Sequence, residues 1–162
     1  MAAAEVWSER GLAVMLRCVN SAGLPQVAVP DAHTRVVTVV LADDSDLYRR
    51  GMRRAIEADS RLVLVAEVSD GAAALAAIRE HQPDAALLDL QMPALDGVEV
   101  GRRLQADPPP RRTRLVLVSA FLAPEAIVRA LACGMDYQLE KTTPRCQICD
   151  LLAGAPLTEP IA

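Results

Sequence analysis

Polar residues suited to phosphoryl chemistry stand at the ends of four apolar segments of the chain. Asp43 and Asp44 follow the first of these segments, Asp89 lies at the end of another, and Ser119 and Lys141 close two more. Three carboxylates held close together repel one another unless a cation or a proton offsets their charge. Mg²⁺ is the expected cation, because it takes oxygen ligands, uses one or two carboxylates and bridges readily to phosphate oxygens. These residues predict a magnesium site at which a carboxylate attacks a phosphoryl group.

Lys141 is the only lysine in a chain whose other cationic side chains are arginines. A compact ammonium on a flexible stem reaches a phosphoryl oxygen as a point charge, whereas a guanidinium offers a fixed, planar fork of donors. The hydroxyl of Ser119 can donate to another oxygen of the same group. Taken singly, these residues also fit ordinary roles as a helix cap, a strand end, a loop hydroxyl or a surface charge. Their joint placement is what favours phosphoryl chemistry.

Five apolar segments alternate with stretches of helical spacing. Most of these segments lack a polar residue at every second place, which is typical of strands covered on both faces. The alternation predicts right-handed crossovers and one doubly wound α/β domain, a five-stranded parallel sheet with helices on both faces. The strand order that we expect for it is 2-1-3-4-5, one of the two common orders of this fold. In that order the carboxyl ends that carry the polar residues are neighbours, and ligands bind at such ends. The predicted strands are 36–42, 62–68, 84–90, 114–120 and 135–139.

The chain of 162 residues is long enough for one domain with a substantial core. We expect residues 1–34 to form a mobile extension and linker, residues 35–153 the folded domain, and residues 154–162 a short tail. No apolar run approaches the roughly 18 residues of a membrane helix, and acidic Glu5 and Glu9 argue against a secretory signal. These features predict a cytoplasmic protein without a membrane partner. The net charge of −4 predicts no general attraction to nucleic acid.

Cys146 and Cys149 form a C-x-x-C pair near the C-terminus. Such a pair can bind a metal or cycle between thiol and disulfide, but a zinc site needs two more ligands at suitable spacing. Ile148 and Leu151 give this stretch helical periodicity. We therefore interpret the two cysteines as small apolar residues on a helix.

Five segments of residues 35–153 resemble the receiver domain of bacterial two-component response regulators, of the NarL or LuxR type without the DNA-binding domain. The resemblance implies a flavodoxin-like or CheY-like fold and a protein that accepts a phosphoryl group and can lose it again, rather than a dedicated enzyme. It also implies a sensor histidine kinase as partner and leaves a homodimer open. The segments are "VVLADDSDLYRRGM", "AEVSDGAAAL", "PDAALLDLQMPALDG", "LVLVSA" and "LEK".

The resemblance also implies a role for each polar residue. Asp89 would accept the phosphoryl group from the kinase, and Ser119 and Lys141 would bind its oxygens. Pro93 and Gly97 would shape the loop after Asp89. The expected ligands of Mg²⁺ are Asp43, Asp44, Asp89 and the backbone carbonyl of Gln91.

Two positions depart from the family pattern. Gln138 stands three residues before Lys141, where the family usually has an aromatic residue that turns inward on phosphorylation, and Tyr137 lies one residue early. Because side chains alternate between the faces of a strand, Tyr137 should point to the opposite face, which puts the usual switch in doubt. Phe121, two residues after Ser119, is a hypothetical shield of the acyl phosphate from water; a ring on the loop surface is the alternative.

The leading hypothesis is an Mg²⁺-dependent phosphoacceptor domain that signals through protein contacts. One alternative is the receiver portion of a truncated LuxR-type DNA-binding transcriptional regulator. Another is a degenerate receiver that binds its partners independently of phosphate. A phosphatase with an aspartyl nucleophile is disfavoured, because Gln91 occupies the place where that chemistry needs a second carboxylate.

Overall fold

A computed structural model describes residues 35–121 and 123–154 of the chain. The predicted extension at 1–34 and nearly all of the predicted tail lie outside the described residues. Strands and helices alternate throughout, as the apolar pattern predicts. The strands are β1 (Val37–Ala42), β2 (Leu62–Val68), β3 (Ala85–Asp89), β4 (Arg114–Ser119) and β5 (Tyr137–Glu140). The helices are α1 (Asp46–Glu57), α2 (Gly71–His81), α3 (Gly97–Ala106), α4 (Pro124–Ala132) and α5 (Arg145–Leu152).

The five strands form one parallel sheet of order β2-β1-β3-β4-β5, which confirms the predicted topology. β1 and β3 pair from Val39 opposite Ala85 to Ala42 opposite Leu88, so the residues that follow Ala42 and Leu88 emerge side by side. The order in which strands are added to the sheet reverses at this pair, because β2 lies on one side of β1 and the later strands lie on the other. Such a reversal creates a crevice at the carboxyl ends of the strands.

Side-chain caps begin three of the helices. The Ser45 hydroxyl accepts a hydrogen bond from the Tyr48 amide, and the carboxylates of Asp70 and Asp96 accept bonds at the starts of α2 and α3. A short polar side chain at this position satisfies a backbone N–H that has no partner within the helix. Pro124 begins α4, where its missing N–H costs nothing and its fixed φ suits the first turn.

The sheet is covered on both faces, as the near-continuous apolar strands require. Alternate residues of β1 divide between two core clusters. Val40 and Ala42 pack with α2 and α3 residues, whereas Val39 and Leu41 pack with α1 and α5 residues. Cys149 belongs to the second cluster, and burial, with a smaller contribution from Asp59, raises the pKa of its thiol to about 11. Within the described residues, no helix has the length and apolar character of a membrane span.

Candidate functional site

The carboxyl ends of β1 and β3 bring three carboxylates together. Asp43 follows β1 directly and Asp89 is the last residue of β3; both are buried, whereas Asp44 is exposed. One carboxylate oxygen from each of the three lies within 4.8 Å of the others. The parallel pairing of β1 with β3 explains this proximity, since it places both strand ends at one edge. Residues 46 positions apart in the chain thus share one site.

Lys141 supplies the positive charge of this cluster. Its Nζ lies 2.8 Å from Oδ2 of Asp43 and 2.9 Å from Oδ2 of Asp89. Its backbone N–H donates to the carbonyl of Ser119 over 2.7 Å, which fixes the start of the side chain next to the end of β4. Burial alone would lower the pKa of Lys141, but the hydrogen bonds with Asp43 and Asp89 raise it above its ordinary value. The ammonium therefore stays charged.

Asp89 is held in an environment that opposes its negative charge. Burial raises the pKa of this carboxyl above its ordinary value, and the nearby charge of Asp43 acts in the same direction. The hydrogen bond from Lys141 and a backbone hydrogen bond from Gln91 lower this pKa, but by less than burial and Asp43 raise it. A second cation near Asp89 would consequently relieve an unfavourable interaction.

The donor set suits a hard divalent cation. All three side chains offer carboxylate oxygens, which Mg²⁺ prefers, and no histidine or cysteine of the described residues joins this group. Oδ2 of Asp43 is buried and, apart from its ion pair with Lys141, has no hydrogen-bond donor among the described residues. Gln91 lies two residues beyond Asp89 and is exposed. The three carboxylates therefore fit the predicted magnesium site.

The loop after β3 is fixed by close backbone approaches. The Gly97 amide donates to the Leu90 carbonyl over 3.0 Å, and a Cβ at Gly97 would overlap the Asp89 carbonyl oxygen. The Pro93 carbonyl accepts from Gly71 at the start of α2. Ala94 has a φ of 66°, a left-handed conformation that is costly for a residue with a Cβ. This loop is held rigidly beside Asp89.

Ser119 lies at the predicted place, at the end of β4, and is buried. Its hydroxyl donates to the carbonyl of Phe121 over 2.8 Å and accepts a bond from the Phe121 amide over 3.3 Å. In this structure the hydroxyl is therefore engaged within its own loop. The Phe121 ring is 72% exposed, so its shielding of an acyl phosphate stays a prediction.

Tyr137 and Gln138 face opposite sides of β5. Tyr137 packs against the core cluster that includes α1 and α5 residues. Gln138 faces α4, where its Nε2 donates to the carbonyl of Ile127 over 3.2 Å. Its Oε1 is buried without a hydrogen-bond partner among the described residues. An amide thus stands against α4 where the family pattern has an aromatic ring.

Tyr48 is a site residue that the sequence analysis did not identify. The centroid of its ring lies 5.0 Å from Nζ of Lys141. Burial, followed in importance by the negative charge of Asp43, raises the pKa of its hydroxyl to about 12. Its spacing on α1 is also typical of a core residue, and only its place one turn beyond Asp43 and Asp44 signals proximity to the site.

Comparisons with known proteins agree with this geometry. The family model described as the response regulator receiver domain matches residues 39–153. The "Probable transcriptional regulatory protein NarL" of Mycobacterium tuberculosis is 40% identical over 112 residues, which are 69% of this chain and 51% of that protein. The response regulator VraR of Staphylococcus aureus is 31% identical over 114 residues, 70% of this chain and 54% of that protein.

Solved structures of response regulators are similar to this chain as well. The signal receiver domain of NarL from M. tuberculosis has a TM-score of 0.68 and 37% identity, with 74% of this chain and 98% of that chain covered. A LuxR-family two-component response regulator from Aurantimonas sp. SI85-9A1 has a TM-score of 0.65 and 26% identity, with 74% and 87% covered. The chain spans about half the length of the curated relatives it matches.

Proposed function

This chain belongs to the response regulator receiver family, in its NarL and LuxR branch, and from that membership we propose that Asp89 accepts a phosphoryl group from a sensor histidine kinase. The observation that carries the proposal is the cluster of three carboxylates, two of which are bridged by Lys141, whose Nζ lies 2.8 Å from Asp43 and 2.9 Å from Asp89. A nucleophile, a fixed cation and a set of oxygen ligands occur together there. Phosphoryl transfer needs this combination of positioning and charge neutralisation.

In the proposed reaction a carboxylate oxygen of Asp89 attacks the phosphorus of a phosphohistidine. The new P–O bond forms as the P–N bond breaks, and the electron pair of that bond leaves with the imidazole of the kinase. Lys141 exchanges its contact with Asp89 for one with a phosphoryl oxygen and keeps its contact with Asp43. The hydroxyl of Ser119 turns from the Phe121 carbonyl to donate to a second phosphoryl oxygen.

Mg²⁺ would be held by Asp43, Asp44, Asp89 and the carbonyl of Gln91, and when bound it would neutralise charge on the transferred group. Asp43 is already buried beside Lys141, so its carboxylate is positioned before any ligand enters. The exposed Asp44 lies where the site opens to solvent. Both residues therefore serve as ligands rather than as nucleophiles.

Intact-mass spectrometry after incubation with acetyl phosphate and Mg²⁺ tests this proposal. We expect the parent protein to gain one phosphoryl group, and neither the Asp89→Asn variant nor the parent without Mg²⁺ to gain any. Asp46→Asn is the matched control, because Asp46 is an exposed carboxylate three residues beyond Asp43. A phosphoryl group on Asp89→Asn, or none on a folded parent, would contradict the proposed function.

A second candidate is a receiver that binds partners independently of phosphate, and Gln138 favours it. The amide of Gln138 already ties β5 to the Ile127 carbonyl of α4, so the usual aromatic movement is not available. Hydrogen exchange of the α4 peptides, measured before and after phosphorylation, separates the candidates. Altered exchange supports a phosphorylation switch, and unchanged exchange supports phosphate-independent binding.

The name of the M. tuberculosis relative gives a role in transcriptional regulation to that protein. For this chain we propose signalling by protein contacts, with a second copy of the chain among the partners to be tested.

A further inference from the structure

The ring of Tyr48 lies against the only lysine of the protein. Its centroid is 5.0 Å from Nζ of Lys141, within the roughly 6 Å over which an aromatic face attracts a cation. The Lys141 side chain is only 19% exposed, so solvent screens this attraction weakly. Within the described part of the chain, the ammonium therefore has two carboxylates, those of Asp43 and Asp89, and one aromatic ring beside it.

The ring is held in place independently of Lys141. The Tyr48 amide donates to the Ser45 hydroxyl in the first turn of α1, and the side chain packs against the core cluster that includes α1 and α5 residues. The Tyr48 hydroxyl is buried without a hydrogen-bond partner among residues 35–121 and 123–154. The contribution of Tyr48 to the site is consequently its ring rather than its hydroxyl.

Lys141 needs such a support because its stem has many rotamers. Fixing a long lysine side chain costs conformational entropy. The backbone bond to Ser119 anchors the start of the Lys141 side chain and the two ion pairs hold its tip, with a flexible stem between them. The carboxylates of Asp43 and Asp89 repel each other, so they tend to move apart when the ammonium leaves its place between them. A ring on the third side limits the directions in which Nζ can move.

We propose that Tyr48 is a positioning residue, whose ring holds the Lys141 ammonium between Asp43 and Asp89 and within reach of the incoming phosphoryl group. It thereby increases the rate at which Asp89 is phosphorylated. The effect on rate rests on the proposed function of Asp89, whereas the positioning of Lys141 does not.

Nuclear magnetic resonance tests the contact between Tyr48 and Lys141 directly, because selective ¹³C-lysine labelling of the full chain gives the signals of one residue. We expect the ring current of Tyr48 to displace the ε-methylene resonances of Lys141 in the parent. The displacement should persist in Tyr48→Phe and disappear in Tyr48→Leu. The matched control is Tyr137→Leu, which removes a half-buried tyrosine ring from the same core cluster.

Phosphorylation kinetics with acetyl phosphate and Mg²⁺ test the consequence. Tyr48→Leu should slow phosphorylation roughly three- to tenfold, the factor expected from loss of a partly desolvated cation–π contact, and Tyr48→Phe should restore it. In a Lys141→Met background, Tyr48→Leu should have no further effect, because Tyr48 acts through Lys141.

Unchanged Lys141 resonances in a folded Tyr48→Leu variant would overturn the proposal, as would an equal slowing in the Lys141→Met background. Slowing by Tyr137→Leu of the same size would also overturn it, because the effect would then be one of general packing. A parent that is not phosphorylated at all would instead refute the proposed function, and the resonance data would still decide whether the Tyr48 ring lies against Lys141.

Discussion

Asp43, Lys141 and Asp89 form a buried arrangement in which one cation serves two anions. Lys141 contacts both carboxylates at under 3 Å, yet burial still raises the pKa of Asp89. Buried charges of this kind seldom stabilise a fold, because desolvation offsets much of their attraction. The two carboxylates instead carry more negative charge than Lys141 neutralises, so the binding of another cation is favourable. Burial of these like charges thus explains both the attraction of the site for a cation and its cost to the stability of the fold.

At the residue scale we predict that Tyr48 makes the protein sensitive to strongly alkaline pH. Its pKa rises from about 10 in the unfolded chain to about 12 in the fold, chiefly through burial and then through the charge of Asp43. The folded state therefore favours the protonated phenol, so this contribution is complete below pH 10 and is lost as the pH rises from about 10 to 12. Between pH 9 and pH 11, the midpoint of urea unfolding should fall by more in the parent than in Tyr48→Phe. Equal losses in the two proteins would contradict the prediction.

The element that shapes the site most closely is the loop between β3 and α3. It begins at Asp89, contains Ala94 in a left-handed conformation, and ends where Gly97 contacts the Asp89 carbonyl. Its backbone bond to Gly71 joins it to the start of α2. Two helix starts and one strand end are therefore fixed around Asp89.

At the element scale we predict that Gly97→Ala destabilises the fold by about 2 kcal/mol, because the new Cβ would meet backbone that cannot move aside. Gly51→Ala on α1 is the matched control, since its Cβ would meet the flexible end of Arg145 instead. Alanine favours the helix there by up to about 1 kcal/mol, so this variant should be neutral or more stable. Chemical denaturation measures both, and equal effects would refute the backbone explanation.

At the scale of the whole molecule, Asp84 ties together three separate parts of the chain at the edge of the sheet opposite the site. Its carboxylate accepts bonds from the amide and hydroxyl of Thr38, both over 3.0 Å, and pairs with Arg35 and Arg111. The Thr38 hydroxyl in turn accepts a bond from the Asp84 amide. The entry to β1, the entry to β3 and the loop before β4 are thereby joined.

We predict that Asp84→Ala lowers the free energy of unfolding by about 2 kcal/mol, because it leaves the partly buried Thr38 amide without an acceptor. Asp107→Ala is the comparison. That carboxylate is 80% exposed and pairs with the exposed Arg79, so its loss should change stability by less than about 0.5 kcal/mol. Urea titration of both variants provides the measurement. A loss for Asp107→Ala as large as that for Asp84→Ala would contradict this account.

The sequence by itself determined the doubly wound α/β sheet and the place of each charged site residue at the end of a strand. Continuous apolar strands and intervening helical spacing allow one doubly wound sheet, and that sheet brings Asp43, Asp89 and Lys141 to one edge. These features follow from short-range patterns and from the geometry of parallel strands, which are local enough to be recognised in a single chain.

Only the tertiary structure decided where the neighbouring side chains point. The Tyr48 ring meets Lys141, the Ser119 hydroxyl turns to Phe121, and Gln138 reaches α4. The contact between Tyr48 and Lys141 joins residues that are distant along the chain, and its geometry depends on rotamers chosen by packing around both. Periodicity assigns a residue to a face of an element, but the partner that it meets there is set by how the elements pack.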